Sequence, residues 1–84
     1  MRTIELDEDT GIKNIREFYM NVANSFREDS TVTLDFSKVN RLDLSVVQVI
    51  MGAQHMARVD KKEFKIRRIS PEVKRQLHIA GLLK

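Results

Sequence analysis

The sequence has 84 residues, of which 42% are hydrophobic and 32% are charged, and its formal net charge is +3 at pH 7. This length predicts one small domain over residues 1–84, since domains run from about 50 residues upward. The chain has no cysteine, which excludes disulfides, thiolate metal sites and cysteine nucleophiles. No apolar run approaches the roughly 20 residues that span a bilayer, and the N-terminus lacks a signal-peptide pattern. We therefore expect a cytoplasmic protein that does not insert into membranes.

Charge is unevenly distributed along the chain. Residues 1–30 contain four basic and seven acidic side chains, whereas residues 58–84 contain nine basic and three acidic ones. A basic segment of this kind can bind nucleic acid. Here the basic residues are interleaved with core-type residues, and Phe64 is the only aromatic residue among them that could stack on a base. We therefore predict a solvated basic face and no nucleic-acid partner.

The first part of the chain predicts a strand followed by a helix. Arg2–Leu6 alternates polar and apolar residues, which is the period of a strand. The segment Asp7–Gly11 supplies turn and helix-start chemistry, and a helix follows until Glu28–Ser30. Its apolar residues recur at helical spacing and are expected to face a core: Ile12, Ile15, Phe18 or Tyr19, Val22 and Phe26.

The remainder of the chain repeats this strand–helix pattern twice. Thr31–Phe36 predicts a second strand and Glu63–Ile69 a third, because both alternate polar and apolar residues. In the second strand Val32, Leu34 and Phe36 are expected to point inward and Thr31, Thr33 and Asp35 outward.

Two helices follow these strands. The first is predicted to run from about Ser45, as its N-cap, to Val59. Ser70 followed by Pro71 predicts the start of the last helix, and Gly81 its C-terminal cap.

The resulting order, β-α-β-α-β-α, predicts an α/β fold with parallel strands joined by right-handed crossovers. All three strands alternate polar with apolar residues, unlike strands that are covered on both faces. We therefore expect a short, mainly parallel sheet with helices chiefly on one face.

Motifs of the common enzymes are missing from the sequence. It contains no phosphate-binding glycine loop, no dinucleotide-binding glycine pattern and no nucleophile elbow. His55 and His78 are far apart in the sequence, and neither has a second ligand at metal-binding spacing. The acids at 7–9 lack the spacing of a calcium loop. We expect no catalytic residue, no metal site, no cofactor and no enzymatic activity.

The segment Arg41–Val47 leads into the second helix and has two interpretations. Ser45 could cap the helix and do nothing else, which is worth about 1 kcal/mol. Its hydroxyl would also lie at the surface beside the positive end of the helix dipole, where a phosphate is tolerated. Ser45 is therefore a candidate phosphoacceptor.

Three motifs in the same order and spacing occur in a known family. The sequence reads V-T-L-D-F-S at Val32–Ser37, L-D-L-S-V-V at Leu42–Val47, and S-P-E-V-K-R-Q-L-H-I-A-G-L at Ser70–Leu82. The run from Thr31 to Lys84 thereby resembles a STAS domain, the fold of bacterial anti-sigma factor antagonists and of sulfate-transporter cytoplasmic tails. The family pattern in the second motif is D-S-S-G; here Leu44 replaces its first serine and Val46 its glycine.

This resemblance implies a regulatory protein-binding module of bacterial signalling. In the antagonists the second serine of D-S-S-G is phosphorylated by a kinase that is itself the anti-sigma factor, and by position that residue is Ser45. The implied partner is a serine kinase and anti-sigma factor, or a chemotaxis kinase component, bound through Asp43–Val49. Asp43 would orient the helix start, Leu44 and Val46 would give apolar contact, and the whole expected partner-binding set is Asp43, Leu44, Ser45, Val46, Gln48 and Val49.

Alternatives remain open at this stage. The protein could be a constitutive accessory subunit of an ABC transporter, like the STAS subunit of phospholipid-transport complexes, in which case phosphorylation would be irrelevant. Nucleotide binding, found in some STAS domains, is disfavoured because the chain has no phosphate-cradling loop. The strand Arg2–Leu6 presents a bare sheet edge, which also suggests a homodimer through that edge.

Overall fold

The computed structural model describes residues 2–83 apart from the side chain of Ile12, and it has the predicted order of strands and helices. The expectation that Ile12 faces the core lies outside the described part. A short 3₁₀ turn, Ile12–Asn14, precedes the first helix. The strands are β1 (Arg2–Glu5), β2 (Thr31–Asp35) and β3 (Glu63–Arg67), and the helices are α1 (Ile15–Glu28), α2 (Leu44–Val59) and α3 (Pro71–Ile79).

The strands form one parallel sheet in the order β1-β2-β3. Its register is in line across all three strands, so that Ile4, Leu34 and Ile66 are neighbours, as are Glu5, Asp35 and Arg67. This arrangement confirms the predicted α/β fold with parallel strands joined by helices.

The hydrophobic core lies between one face of the sheet and the helices. Val32 and Leu34 have no exposed surface, and the rings of Phe26 in α1 and Phe64 in β3 lie 5.9 Å apart. Burying a side chain of this size stabilises the fold by about 1.5–3 kcal/mol. The helices supply the other wall of the core through Phe18, Val22, Phe26, Val46, Ile50, Ala53, Ala57, Val73 and Leu77.

The opposite face of the sheet is polar, as its alternation predicts, but its centre is not open. The outer strands expose Thr3, Glu5 and Lys65 on this face. Thr33 lies between Thr3 and Lys65 in the register and is completely buried. Thr33 therefore points away from the core as expected, but the expectation that it is exposed is wrong. It lies on the central strand, which has a paired strand on each side.

Only one of the two adjacent aromatic residues of helix α1 faces the core. Of the alternatives Phe18 and Tyr19, Phe18 is buried and Tyr19 is 51% exposed. One position along a helix rotates the side chain by about 100°, so only one of the two can face the core.

Helix α3 is capped at both ends, and helix α2 ends in the same way as α3. In α3, Ser70 caps the start by accepting the Val73 N–H at 3.1 Å, and Gly81 follows the helix at a φ of +79°, as predicted. Helix α2 ends with the same chain reversal at Lys61, whose φ of 56° is in the left-handed region. Within residues 2–83, no helix is both long enough and apolar enough to cross a bilayer.

Candidate functional site at the start of helix α2

The loop between β2 and α2 is anchored in the core and fixes where α2 begins. The Phe36 N–H donates to the Arg67 carbonyl at 3.0 Å, and the Val39 N–H donates to the Phe36 carbonyl at 3.0 Å. Phe36, Val39 and Leu42 are all buried. The loop therefore delivers Asp43 to the surface at the carboxyl-terminal edge of the sheet.

Asp43, rather than Ser45, is the N-cap of α2. Its Oδ1 accepts the Ser45 backbone N–H at 2.9 Å and the Ser45 hydroxyl at 2.6 Å, and the helix begins at Leu44. The prediction that Ser45 caps the helix is wrong. Aspartate is as good a cap as serine, and its position two residues earlier lets it satisfy the free N–H of the first turn.

These two hydrogen bonds also set the ionisation of Asp43. The Ser45 hydroxyl and then the Ser45 N–H stabilise the carboxylate, and they hold the pKa of Asp43 below its usual value. Asp43 is therefore anionic at neutral pH, and the Ser45 hydroxyl proton points toward it.

The predicted partner-binding residues divide into exposed and buried ones. Leu44 is 71% exposed, Gln48 is exposed, and Ser45 and Val49 are half-buried. Val46 has no exposed surface, so the expectation that it offers an apolar contact to a partner is wrong. Helical geometry turns Val46 into the core two positions after the exposed Leu44.

An exposed stripe continues along α2 beyond the predicted segment. Met51 is 47% exposed, and His55 is also exposed. The spacing i, i+4, i+7 and i+11 places the members of this stripe on one helical face. The stripe, called the α2 surface below, comprises Leu44, Gln48, Met51 and His55.

The α2 surface is unusual in its lack of charge. From Leu44 to Ala57 the sequence has no aspartate, glutamate, lysine or arginine, although charged residues make up 32% of the chain. An exposed helix face without formal charge is cheaper to desolvate than a charged one. This lack of charge is visible in the sequence alone, but the partner-binding set predicted from the family motif ends at Val49 and omits Met51 and His55.

Two further residues hold the site in place and were not foreseen. On α3, the Gln76 side chain accepts the Leu42 N–H at 2.8 Å and donates to the Leu42 carbonyl at 3.0 Å. The loop before α1 packs against the cap, since a Cβ on Gly11 would lie 3.7 Å from the Asp43 Cβ. No local sequence pattern identifies Gln76, because its partner is 34 residues away.

The acidic segment 7–9 forms a local turn near this site. The Asp9 N–H donates to Asp7 Oδ1 at 2.9 Å, and the segment shares a shallow groove with Ser37 and Lys38. In the part of the chain that the structure describes, no group of three or more potential ligands is placed to hold a metal ion.

Comparison with known proteins places the chain in a family. The family model described as "Mlab, STAS domain" matches residues 2–84, nearly the whole sequence, and confirms the family that the three motifs predicted. Neither the curated proteins nor the solved structures gave a match.

Proposed function

The chain belongs to the STAS domain family, and from this premise we propose that it is a regulatory module of bacterial signalling that docks on a protein partner through the start of α2. The proposed partner is a serine kinase that acts as an anti-sigma factor, or a component of a chemotaxis kinase. The observation that carries the proposal is the exposed Leu44 at the head of the uncharged α2 surface. A protruding leucine beside neutral polar groups is typical of an interface core, from which charged residues are depleted.

Phosphorylation of Ser45 is the proposed switch. The γ-phosphoryl group of ATP held by the partner kinase would be transferred to Ser45 Oγ, with ADP leaving. The Ser45 hydroxyl donates a hydrogen bond to Asp43 Oδ1, and the Oγ–Oδ1 distance of 2.6 Å is short enough for proton transfer. Asp43 thus orients the hydroxyl and can accept its proton.

The product of that transfer would oppose docking. A phosphate carries a charge of about −1.5 to −2 and would stand beside the anionic Asp43 in a surface that is otherwise uncharged. The helix start itself tolerates the charge because of its free N–H groups and dipole. Burying the phosphate against an apolar partner is costly, so phosphorylation would release the partner without unfolding α2.

The remaining parts of this proposal follow from the sequence. We propose that residues 1–84 form a single domain that works in the cytoplasm, has no catalytic activity of its own and needs no metal or cofactor. Any chemistry at Ser45 is then supplied by the partner.

Affinity capture from the host lysate tests the proposal. The wild type is compared with Ser45→Asp, Ser45→Asn and Ser45→Ala, and the retained proteins are identified by mass spectrometry. Ser45 lies in the first turn of α2 and not at its N-cap, and Asp and Asn have nearly the same shape, so that this pair isolates charge. Retention of a kinase by every protein except Ser45→Asp is expected, whereas equal retention by all four proteins would rule out the switch.

A second candidate is a constitutive accessory subunit of an ABC transporter. The observation that favours it is Leu44 itself, since an apolar residue stands where the family pattern has its first serine. In that case the partner is a transporter ATPase, Leu44→Ser abolishes its capture, and Ser45→Asp leaves the capture unchanged. The two candidates thus differ in which of the adjacent residues controls binding.

A further inference from the structure

The two edges of the sheet carry opposite charge. Within residues 2–83, β1 and β3 each pair only with β2, which leaves one side of each strand open. The groove between β1 and α1 is lined by the acids Glu5, Asp7, Asp9 and Glu17, of which Glu5 pairs with Lys38 at 2.9 Å. At the other edge, β3 exposes Lys65 and Arg67, and Lys65 lies 3.5 Å from Glu63 on the same strand.

Helix α1 extends the acidic edge. It adds Glu28 to the groove beside β1, where Glu28 pairs with Arg2.

These features define two flanks of the molecule. The acidic flank is formed by β1 and the adjoining side of α1, and the basic flank is the open edge of β3. Unpaired strand edges attract other strands. Two acidic flanks would repel each other, which disfavours the pairing of β1 with a second β1, whereas an acidic and a basic flank attract.

We propose that a second copy of this chain docks head to tail, with its β1 added to the open edge of β3. The Glu63 N–H donates to Ser30 and the Arg67 carbonyl accepts from Phe36, so these groups point toward β2. Backbone groups alternate in direction along a strand, and those of Phe64 and Ile66 therefore face the open edge.

Side chains also match across this contact. The existing register already aligns Thr3 with Thr33 and Lys65, and Glu5 with Asp35 and Arg67. Continued by one strand, it places Ile4 of the incoming copy beside Ile66 and its Glu5 beside Arg67. Opposite charges and apolar pairs in adjacent strands stabilise a sheet.

Such a contact is heterologous, and each added copy leaves a free edge for the next. It therefore builds chains of copies rather than a closed dimer. The α2 surface belongs to neither flank, so this inference does not depend on the proposed signalling function.

Sedimentation velocity on the full chain tests this, from micromolar to near-millimolar concentration. At about 0.01 M salt the wild type is expected to form species larger than a dimer, and at about 1 M salt, where the Debye length falls to about 3 Å, to remain monomeric. A wild type that is monomeric throughout at low salt, or that stops at a dimer, would overturn the proposal.

Matched variants locate the contact. Arg67→Glu is expected to weaken association roughly tenfold, while Arg58→Glu, the same charge change on α2, leaves it unaltered. Glu5→Lys also weakens it, and a mixture of Glu5→Lys with Arg67→Glu restores it. Because both side chains are exposed, circular dichroism should show normal folding, and failure of the mixture to associate would contradict the proposed pairing.

Blocking the strand edge gives an independent check. The Leu6 N–H donates to Asp35 in β2, so by alternation the Thr3 N–H faces outward. Thr3→Pro removes that donor without touching the bonds to β2, since proline is tolerated at sheet edges. The variant should be monomeric at low salt; if it is folded and still associates like the wild type, the strand edge is not the contact.

Discussion

The hydrogen bond from Ser45 to Asp43 gives one carboxylate two roles. Asp43 caps α2 through the Ser45 N–H and orients the Ser45 hydroxyl with the same oxygen, Oδ1. A change at Ser45 Oγ therefore also alters the cap. This coupling is local, and it explains how a modification of one side chain can change the surface while most of the helix stays intact.

The ionisation of Asp43 should be visible in the pH dependence of stability. Its pKa is lowered in the folded protein by its bonds to Ser45. The resulting stabilisation is present above the unfolded-state pKa of about 3.9 and is lost as the pH falls through the lower folded-state value. In chemical unfolding, the advantage of the wild type over Asp43→Asn should shrink progressively below about pH 4. A constant difference down to the acid transition would show that Asp43 is not held in this way.

Thr33 offers a test of polar burial at the centre of the sheet. Its side chain is fully buried, and its Oγ1 has no hydrogen-bond partner among the residues that the structure describes. An unsatisfied buried hydroxyl costs about 1–3 kcal/mol. Thr33→Val, which keeps the shape, is expected to raise the free energy of unfolding by about 1 kcal/mol.

The matched control for this substitution is Thr31→Val. Thr31 lies on the same strand and the same face but is half-exposed, so its hydroxyl can bond to water. Its replacement should change the free energy of unfolding by less than about 0.5 kcal/mol. A loss of stability in Thr33→Val would mean that the hydroxyl has a partner that compensates its burial.

At the scale of the elements, the end of α2 contains stored backbone strain. Lys61 follows the helix at a φ of 56°, and the Lys62 N–H donates to the Ala57 carbonyl at 2.8 Å, which together form the reversal that normally uses glycine. Glycine adopts this conformation freely, whereas other residues pay about 1–2 kcal/mol.

Lys61→Gly is therefore expected to stabilise the protein. After the extra entropy of glycine in the unfolded chain is subtracted, the gain should be about 0.5–1 kcal/mol in thermal or chemical unfolding. Lys61→Ala removes the same charge but retains the left-handed strain, and it should show no gain. Equal stabilisation by both variants would assign the effect to charge.

The elements were predictable because their signals are local. Strand alternation and the Ser70-Pro71 start of α3 depend on neighbours in sequence, and the structure confirms them. The N-cap of α2 was predicted at the wrong residue because Asp43 and Ser45 are both good capping residues. Only the backbone conformation distinguishes them. The burial of Val46 was predictable from spacing, because Val46, Ile50, Ala53 and Ala57 recur at i, i+4, i+7 and i+11 and share one buried face. A linear family motif does not encode that face.

Contacts between distant segments could not be predicted in this way. The positions of Gln76 and Gly11 beside the α2 start depend on how the helices and loops pack, and each is an ordinary residue in its own segment. The candidate site is thus partly local, in Asp43 and Ser45, and partly a product of the whole fold. The opposite charge of the two flanks could not be predicted either, because it depends on the sheet order that places β1 and β3 at opposite edges.

At the scale of the whole molecule, Gln76 connects α3 to the candidate site. Its amide holds both backbone groups of Leu42, one residue before the cap. Gln76→Met keeps the size but leaves the Leu42 N–H and carbonyl without these bonds, at a cost of roughly 1–3 kcal/mol. Gln76→Glu keeps the acceptor for the Leu42 N–H and loses only the donor. Its free energy of unfolding should therefore lie between those of Gln76→Met and the wild type.

Hydrogen exchange separates this positioning role from a general loss of stability. In Gln76→Met the amides of Leu42 and of the first turn of α2 should lose protection more than those of β2, because the loop opens locally. Partner capture should fall in parallel although Gln76 is not part of the α2 surface. If protection falls uniformly across the sheet and the helices, Gln76 contributes to the stability of the fold as a whole and does not specifically position the site.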